Sequence, residues 1–453
     1  MNQGVTYEKA KDEKDKDDQV KDIDLFMGVF FDGTGNNEDN IDSYQEYKSS
    51  SWLGKVFKSP KLLKYHVTCG SSLRGYSNVA RLHKVFKKEE SNKSKLATSV
   101  YVQGIGTTTV IDMVPTGQAF GVGITGVNAK VKDGCKGVVK EINHIVKKVI
   151  KKPCKITLHL SVLGFSRGAA AARRFVTCID STSGDKVMFI NECLSEHLED
   201  KFKKKGLVRD VKVKVDFLGL FDTVSSYGVV KTFKSESDNV KELGLSLSGS
   251  KASNVVQICA GDEYRDHFSL TTTGTGVEYI IPGAHADVGG GYNDWEYEEW
   301  KETKKVDVAK GISVPLKNGY KTKQELLDGG WYTQRDIDQG GREVRSDYSL
   351  IPFSFMLEHL KKYNSYSVVD ASELSKKKYE TVPSDLSTIK GMIMAKKSLY
   401  DFKGSGSNRH ISDFKEDVGV IAGVRHKYLH LSAEPGLSNG PAKNNTRVIV
   451  DGK

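Results

Sequence analysis

The chain has 453 residues, which is enough for a large α/β domain and a second module, because a single hydrophobic core stops growing at roughly 250 to 300 residues. Its 38% hydrophobic and 28% charged residues are typical of a globular protein with ample polar surface, and no apolar run approaches the roughly 20 residues that a membrane span needs. The net charge of +10 favours an anionic partner, but charge alone does not select among nucleic acid, an acidic protein and an anionic lipid surface.

Residues 1–24 form a charged N-terminal extension without the apolar stretch of a secretory signal peptide, so any export would use another route. The 6 cysteines contain no CxxC pair and no histidine at a zinc-binding spacing. We therefore expect reduced structural thiols and predict neither a metal nor a cofactor.

The first structured segment is the apolar run Leu25–Phe31, which ends abruptly in a loop that contains Asp32 to Asn37. This pattern predicts a buried strand that leads into a functional loop. The polar segment 39–75 looks like an insertion, and its basic aromatic patch at 52–58 either contacts lipid head groups or is an ordinary amphipathic surface helix. Ser77 is expected to cap a helix that runs to Phe86.

Strand and helix patterns then alternate along the chain. Strands are predicted at 100–102, 156–163, 213–221 and 279–281, and helices at 127–150 and 169–178. The alternation predicts an α/β fold in which helices cover a mainly parallel sheet. Beyond Asn293 the composition changes, so we predict a core from 25 to 292 and, from 293 to 453, an insertion, a helix at 349–363 and a C-terminal cap or accessory region.

The pentapeptide Gly164–Gly168 carries the clearest chemical signal. A nucleophilic serine on a sharp strand-to-helix turn needs small residues two positions before and after it. Ser166 has both glycines, an apolar strand before it and four alanines after it. We therefore predict that Ser166 is a nucleophile.

A serine nucleophile needs a base and a group that orients the base. Asp222 ends a predicted strand, and His285 follows another, which gives the chain order Ser, Asp, His that is typical of α/β hydrolases. The alternative for Asp222 is a turn or helix-capping aspartate. His267, His426 and His430 remain alternatives to His285.

An acyl-transfer site also needs backbone N–H groups that point at the developing oxyanion. The Arg167 amide, at the start of the helix, is one candidate donor, and Gly33 or Thr34 supplies the second. Two other motifs fail: the first aspartate of a DxDGT phosphatase motif is Phe30 here, and the GxGxxG sequence at 121–126 lacks a preceding strand.

The combination of these motifs resembles the phospholipase effectors of type VI secretion, which are antibacterial lipases of the GxSxG class. The motifs that carry the resemblance lie, in order, at residues 31–37, 77–82, 164–169, 221–224 and 283–292.

The resemblance implies an α/β hydrolase that cleaves acyl chains from membrane phospholipids in the periplasm of a rival bacterium, with Ser166, Asp222 and His285 as its triad. It also implies delivery by a secretion spike component and a cognate immunity protein, and it gives no role to nucleic acid. A long insertion from 293 to 347 departs from the simpler family pattern. A hydrolase of soluble esters and a non-catalytic module that binds a spike or a membrane remain the alternative functions.

Overall fold

The structure is a computed structural model. It describes residues 20–49, 73–92, 94–107, 126–148, 150, 152–179, 207–226, 240–248, 252–300, 304–307, 312–315, 320–395, 418–433, 440–442 and 447–452. The predicted basic patch at 52–58 and residues 121–125 of the glycine-rich motif lie outside these ranges, as do residues 1–19 of the N-terminal extension.

The strands account for the main sheet and three small two-stranded sheets. In chain order they are β1 (Lys21–Phe31), β2 (Glu89–Asn92), β3 (Lys95–Val102), β4 (Cys154–Phe165), β5 (Val208–Phe221), β6 (Val255–Ala260), β7 (Leu270–Thr271), β8 (Val277–Ile281), β9 (Trp295–Glu299), β10 (Lys304–Asp307), β11 (Ile312–Pro315), β12 (Gly341–Arg345) and β13 (Ile449–Val450).

The main sheet has seven strands in the order β2-β3-β1-β4-β5-β6-β8. All neighbouring pairs in it are parallel except β2 and β3, which are antiparallel. The chain passes from β1 outwards to β3 and then returns to the other side of β1 to form β4. The strand order therefore reverses between β1 and β4, which is where open α/β sheets commonly form their functional crevice.

The central strand β1 is covered on both faces. Leu25, Met27 and Val29 belong to one hydrophobic cluster, whereas Phe26 and Phe30 belong to a second. Because successive side chains of a strand point to opposite faces, these clusters lie on the two sides of the sheet. A parallel strand that is buried in this way gives the continuous apolar run that the sequence showed.

The helices cover the sheet and build the C-terminal part of the described chain. They are α1 (Glu38–Ser49), α2 (Asn78–Val85), α3 (Val127–Lys148), α4 (Arg167–Cys178), α5 (His285–Gly289), α6 (Lys323–Asp328), α7 (Gln334–Gln339), α8 (Leu350–Tyr363), α9 (Ala371–Lys377), α10 (Ser387–Met394) and α11 (Val418–Tyr428), with 3₁₀ turns at Ser346–Ser349 and Ser384–Leu386.

Helix α2 begins where the sequence predicted it. The Ser77 hydroxyl accepts a hydrogen bond from the Ala80 N–H at 3.0 Å, which satisfies one of the free amides of the first turn. Asn78 then donates from its side chain to the Val288 and Ser349 carbonyls, at 2.8 and 2.9 Å. These bonds tie α2 to the last turn of α5 and to the residue that precedes α8.

The prediction of a mainly parallel α/β fold is confirmed. The strand β6 was missed, because Gln257 interrupts a short apolar run, although the structure buries that glutamine completely. The strand β5 begins at Val208 rather than at 213, because its first half alternates charged and apolar residues and is partly exposed.

Residues beyond 293 contribute extensively to the second hydrophobic cluster. Ile351, Phe355 and Leu360 of α8 lie in the same cluster as Phe217 of β5 and Leu82 of α2. The division of the chain at 293 remains a prediction.

The cysteines at 135, 154, 178 and 259 are buried, in agreement with structural thiols. Among the helices that the structure describes, none combines the length and the hydropathy that a bilayer span requires.

Candidate active site

The carboxyl ends of β1 and β4 meet at the reversal of strand order. Phe31 at the end of β1 pairs in register with Gly164, two residues before Ser166. The loop that starts at Asp32 therefore lies beside Ser166, although 134 positions separate the two residues in the sequence numbering. The carboxyl ends of β5, β6 and β8 lie along the same edge of the sheet because these strands are parallel.

Ser166 occupies a strained turn between β4 and α4. Its φ of 59° and ψ of −129° are rarely adopted by a residue with a side chain. A Cβ atom on Gly164 would lie 2.6 Å from Ala169 Cα, and one on Gly168 would lie 2.2 Å from the Asp32 carbonyl oxygen. Both glycines are therefore required by backbone contacts, as the sequence argument anticipated.

Backbone hydrogen bonds join this turn to the end of β5. Ser166 donates from its N–H to the Phe221 carbonyl at 3.0 Å, and its own carbonyl accepts from the Val224 N–H at 3.3 Å. Asp222, between these two partners, has a φ of 45°. In the part of the chain that the structure describes, only Lys378 joins Ser166 and Asp222 as a non-glycine residue with positive φ. Backbone strain is thus concentrated at this site.

The structure brings Asp222 and His285 together. His285 Nδ1 lies 2.5 Å from Asp222 Oδ2, and both side chains are buried. The ring of His285 packs against Phe165 at 4.6 Å and against Phe268 at 5.0 Å between centroids. Because the Asp222 carboxylate accepts the proton on Nδ1, the lone pair of the neutral ring is on Nε2.

Burial and charge set the protonation of this pair. Burial raises the pKa of Asp222, but the Arg447 guanidinium and His285 outweigh it, so that the pKa is lowered overall. Burial lowers the pKa of His285, and this effect exceeds the opposing influence of Asp222. The pair therefore favours an ionised aspartate and a neutral imidazole at neutral pH.

Two further side chains contact the pair, and the sequence analysis assigned neither to the site. Glu263 accepts the His285 backbone N–H at 3.2 Å and pairs with Arg265 at 2.8 Å. Arg447 donates two hydrogen bonds to Asp222, each at 2.7 Å. Glu263 lies in a charged stretch of the kind that is typical of a solvated surface, and Arg447 lies in a polar segment whose pattern carries no signal of a site.

The loop after β1 contains the two residues predicted to supply the second oxyanion donor, Gly33 and Thr34. They differ in whether their donor groups are already hydrogen-bonded. The Gly33 N–H donates to Asp32 Oδ1 at 2.7 Å and is already engaged. The Thr34 hydroxyl is buried, and it has no hydrogen-bond partner among the residues that the structure describes. Gly35 and Asn36 are held by hydrogen bonds to the Ile105 and Gly33 carbonyls at 3.1 and 2.9 Å. Thr34 is therefore the better candidate of the two.

Asp32 is itself unusual. Its Oδ2 accepts a hydrogen bond from Tyr101 at 2.5 Å, and the side chain is 2% exposed. Burial raises its pKa from 3.8 to about 6, while hydrogen bonds from Ser77, Tyr101 and the Gly33 N–H oppose the shift and the charge of Glu38 adds to it. This carboxyl therefore titrates close to neutral pH beside the serine turn.

The competing histidines lie elsewhere. His430 Nδ1 is 2.7 Å from Asp287 Oδ1. His426 Nε2 is 2.8 Å from Asp336 Oδ2. His267 is exposed on the loop before β7. None of the three contacts Asp222 among the described hydrogen bonds and ion pairs. The described residues also contain no cluster of acidic, histidine and cysteine side chains that could hold a metal ion.

A parallel sheet with a strained serine and a buried Asp–His pair at one edge is the arrangement of an α/β hydrolase. Residues 181–309 match the family model of the type VI secretion phospholipase effector Tle1-like catalytic domain. That segment contains Asp222 and His285. No curated protein matches the sequence.

The fold resembles that of one solved structure, and a second comparison gives only a weak match. The Tle1 effector bound to the VgrG spike of the type 6 secretion system has a TM-score of 0.59 at 19% identity, over 96% of this chain and 95% of that chain. An uncharacterized protein from Pseudomonas aeruginosa has a TM-score of 0.39 at 17% identity, over 85% of this chain and 52% of that chain, which is too low to establish a shared fold. The likeness to the Tle1 effector shows a shared fold, and the family match covers residues 181–309 of the chain.

Proposed function

We propose that the chain is a serine esterase of the phospholipase A type that hydrolyses the acyl esters of membrane phospholipids. The contact between His285 and Asp222 at 2.5 Å, next to a serine on a strained turn, is the observation that carries the proposal. The family match favours a lipid over a soluble ester and over a role in binding alone.

In the acylation step, His285 Nε2 takes the proton of the Ser166 hydroxyl while Oγ attacks the ester carbonyl carbon. The carbonyl oxygen becomes an oxyanion, which the Arg167 N–H and Thr34 stabilise. The bond to the glycerol oxygen then breaks, and the protonated His285 gives its proton to that oxygen. A lysophospholipid leaves, and the acyl group remains on Ser166.

In the deacylation step, His285 removes a proton from water, and the resulting hydroxide attacks the acyl carbon. The bond to Ser166 Oγ breaks, Oγ recovers the proton from His285, and a fatty acid leaves. Asp222 stays ionised throughout and stabilises the imidazolium that forms in each step.

We further propose that the protein is secreted and acts on the membrane from the periplasm of a target cell. The structurally similar Tle1 effector is bound to the VgrG spike, which supports a spike component as the delivery partner of this chain. A cognate immunity protein would protect the producing cell. The net charge of +10 suits an anionic lipid surface.

Hydrolysis of vesicles made from a phospholipid with different chains at its two positions, followed by mass spectrometry, tests the proposal. We expect wild type to release one chain and Ser166→Ala to release none above background. Ser161→Ala is a matched control, since Ser161 lies on the same strand and donates to Asn364 at 2.8 Å, away from the site. Wild-type hydrolysis of short soluble esters without hydrolysis of vesicles would refute the lipid substrate, and full activity of Ser166→Ala would refute the mechanism.

The oxyanion donor can be tested at the same site. Thr34→Val removes the hydroxyl but keeps the shape of the side chain, and Thr34→Ser keeps the hydroxyl. Loss of one oxyanion donor lowers kcat by roughly 10²- to 10³-fold. If the hydroxyl contributes, Thr34→Val should show a loss of this order and Thr34→Ser should not; equal activities of the two variants would leave only the backbone of Thr34 as a donor.

A further inference from the structure

Arg447 contacts Asp222 of the Asp–His pair and is fully buried. It is carried by residues 447–452, which return to the sheet edge through the parallel pairing of β13 with β7. Its Nε donates to the Phe268 carbonyl at 2.6 Å, and its Nη1 donates to the Ala260 carbonyl at 3.2 Å. The guanidinium is therefore held by the last residue of β6 and by the loop that precedes β7, independently of Asp222.

The remaining donors of Arg447 form a fork on Asp222. Nη1 donates to Oδ1 and Nη2 donates to Oδ2, each at 2.7 Å. The Ala260 N–H also donates to Oδ1 at 2.9 Å, and His285 Nδ1 lies 2.5 Å from Oδ2. Two parallel bonds from a planar guanidinium fix the plane of a carboxylate as well as its position.

The charge of Arg447 matters as much as its geometry. A buried carboxylate is strongly disfavoured unless it is paired and hydrogen-bonded. Arg447 is the cation that contacts both oxygens of Asp222, and His285 is neutral when it acts as a base. Without the guanidinium, the aspartate would lose its compensating charge while remaining fully buried.

We propose that Arg447 is a positioning residue of the active site, which holds Asp222 in one plane and through it aims His285 at Ser166. The inference depends on the proposed function for its catalytic consequence. The effect of Arg447 on the Asp–His pair can be measured without any turnover.

The decisive variant is Arg447→Gln, and Arg173→Gln is its matched control. Arg173 is also fully buried and donates to backbone carbonyls of the same region, at 2.9 Å to Thr272 and 3.1 Å to Gly452, but it does not contact Asp222. Misplacement of a catalytic group by about 1 Å lowers rates by roughly 10²-fold. We expect kcat of Arg447→Gln to fall by about this factor. KM should stay within about twofold of wild type, because the substitution removes no contact with the substrate. For Arg173→Gln we expect lower thermal stability and nearly unchanged kcat.

A double-mutant cycle with Asp222→Asn shows whether Arg447 acts through the aspartate. In the Asp222→Asn background the fork has no carboxylate to hold, so the further effect of Arg447→Gln on kcat should fall below about threefold. Equal effects in both backgrounds would overturn the inference.

The titration of His285, followed by NMR of the protein with ¹⁵N-labelled histidine, gives a readout that needs no activity. Removal of a nearby positive charge strengthens proton binding, so Arg447→Gln should move the His285 titration to higher pH. Arg173→Gln should leave it in place. A His285 titration in Arg447→Gln that coincides with wild type refutes the inference.

Two outcomes separate the inference from the proposed function. If wild type neither hydrolyses vesicles nor reacts with a fluorophosphonate at Ser166, the proposed function fails, yet a shifted His285 titration would still assign Arg447 to the pair. If Arg447→Gln does not fold, Arg447→Lys keeps the charge but cannot form the fork, and we expect kcat about tenfold below wild type with little change in the His285 titration. Wild-type kcat in Arg447→Lys would overturn the role of the fork.

Discussion

Asp32→Asn tests the electrostatics of the loop beside Ser166. The folded protein holds a proton on this carboxyl up to a pKa of about 6, whereas the unfolded chain releases it near 3.8. The folded state thus binds more protons between these values, and stability must fall as pH rises through this window. The shift corresponds to about 3 kcal/mol in total, and roughly half of it falls between pH 5 and pH 7.5.

The asparagine variant removes this dependence because it carries no charge at any pH. Urea unfolding of wild type and Asp32→Asn at pH 5.0 and 7.5 gives the difference in unfolding free energy at each pH. We expect that difference to move by about 1.4 kcal/mol in favour of the variant between the two values. The lost or altered hydrogen bonds with Tyr101 cancel in this comparison to first order. Asp39→Asn, at an exposed aspartate of α1, is the matched control. A difference that stays constant within about 0.3 kcal/mol would refute a raised pKa at Asp32.

Three further predictions concern the turn, the base and the C-terminal region. Gly168→Ala would place a Cβ 2.2 Å from a carbonyl oxygen and should lower activity by roughly 10²-fold, whereas Gly391→Ala, with no atom within 4 Å of the new Cβ, should stabilise α10 by about 0.5 to 1 kcal/mol in thermal unfolding. Activity requires neutral His285, whose pKa is lowered, so kcat/KM should rise with pH with a midpoint below the pH at which a free histidine side chain titrates. Arg342→Met would remove the guanidinium that lies 2.6 Å from the Glu298 carboxylate. The loss of this cation should reduce the free energy of unfolding by about 3 kcal/mol, and Glu298→Gln in the same chain should partly reverse the reduction.

The parts of the site that follow from local pattern could be predicted from the sequence. The serine turn needs glycine at 164 and 168 because backbone atoms of α4 and of the end of β1 lie too close for a Cβ atom at either position. The five consecutive residues 164–168 are enough to predict this requirement. The residues after strand ends were predicted for a similar reason, because parallel strands deliver their carboxyl ends to one edge. Asp222 and His285 both lie at such positions.

The contributions that depend on long-range packing could not be predicted. Arg447 lies 225 positions from Asp222, in a polar stretch without periodicity, and only the tertiary fold shows its contact. Glu263 lies in a charged run that is typical of a solvated surface, yet it is buried. The strand β6 was not predicted because Gln257 interrupts its apolar run. The Gln257 amide donates to the Thr271 carbonyl at 3.1 Å and to Glu278 at 2.6 Å. A buried polar residue with such distant partners breaks an apolar pattern without breaking the strand.

Residues 447–452 supply Arg447 to the site, so their place in the sequence affects when the site forms during folding. Asp32 is among the first described residues and Arg447 is among the last, so the site depends on contacts of very high sequence separation. Contacts of this kind form late in folding, and during synthesis they must wait for the end of the segment to leave the ribosome. Until Arg447 is in place, Asp222 lacks the guanidinium that contacts both of its oxygens, so the arrangement of the Asp–His pair depends on one of the latest contacts to form.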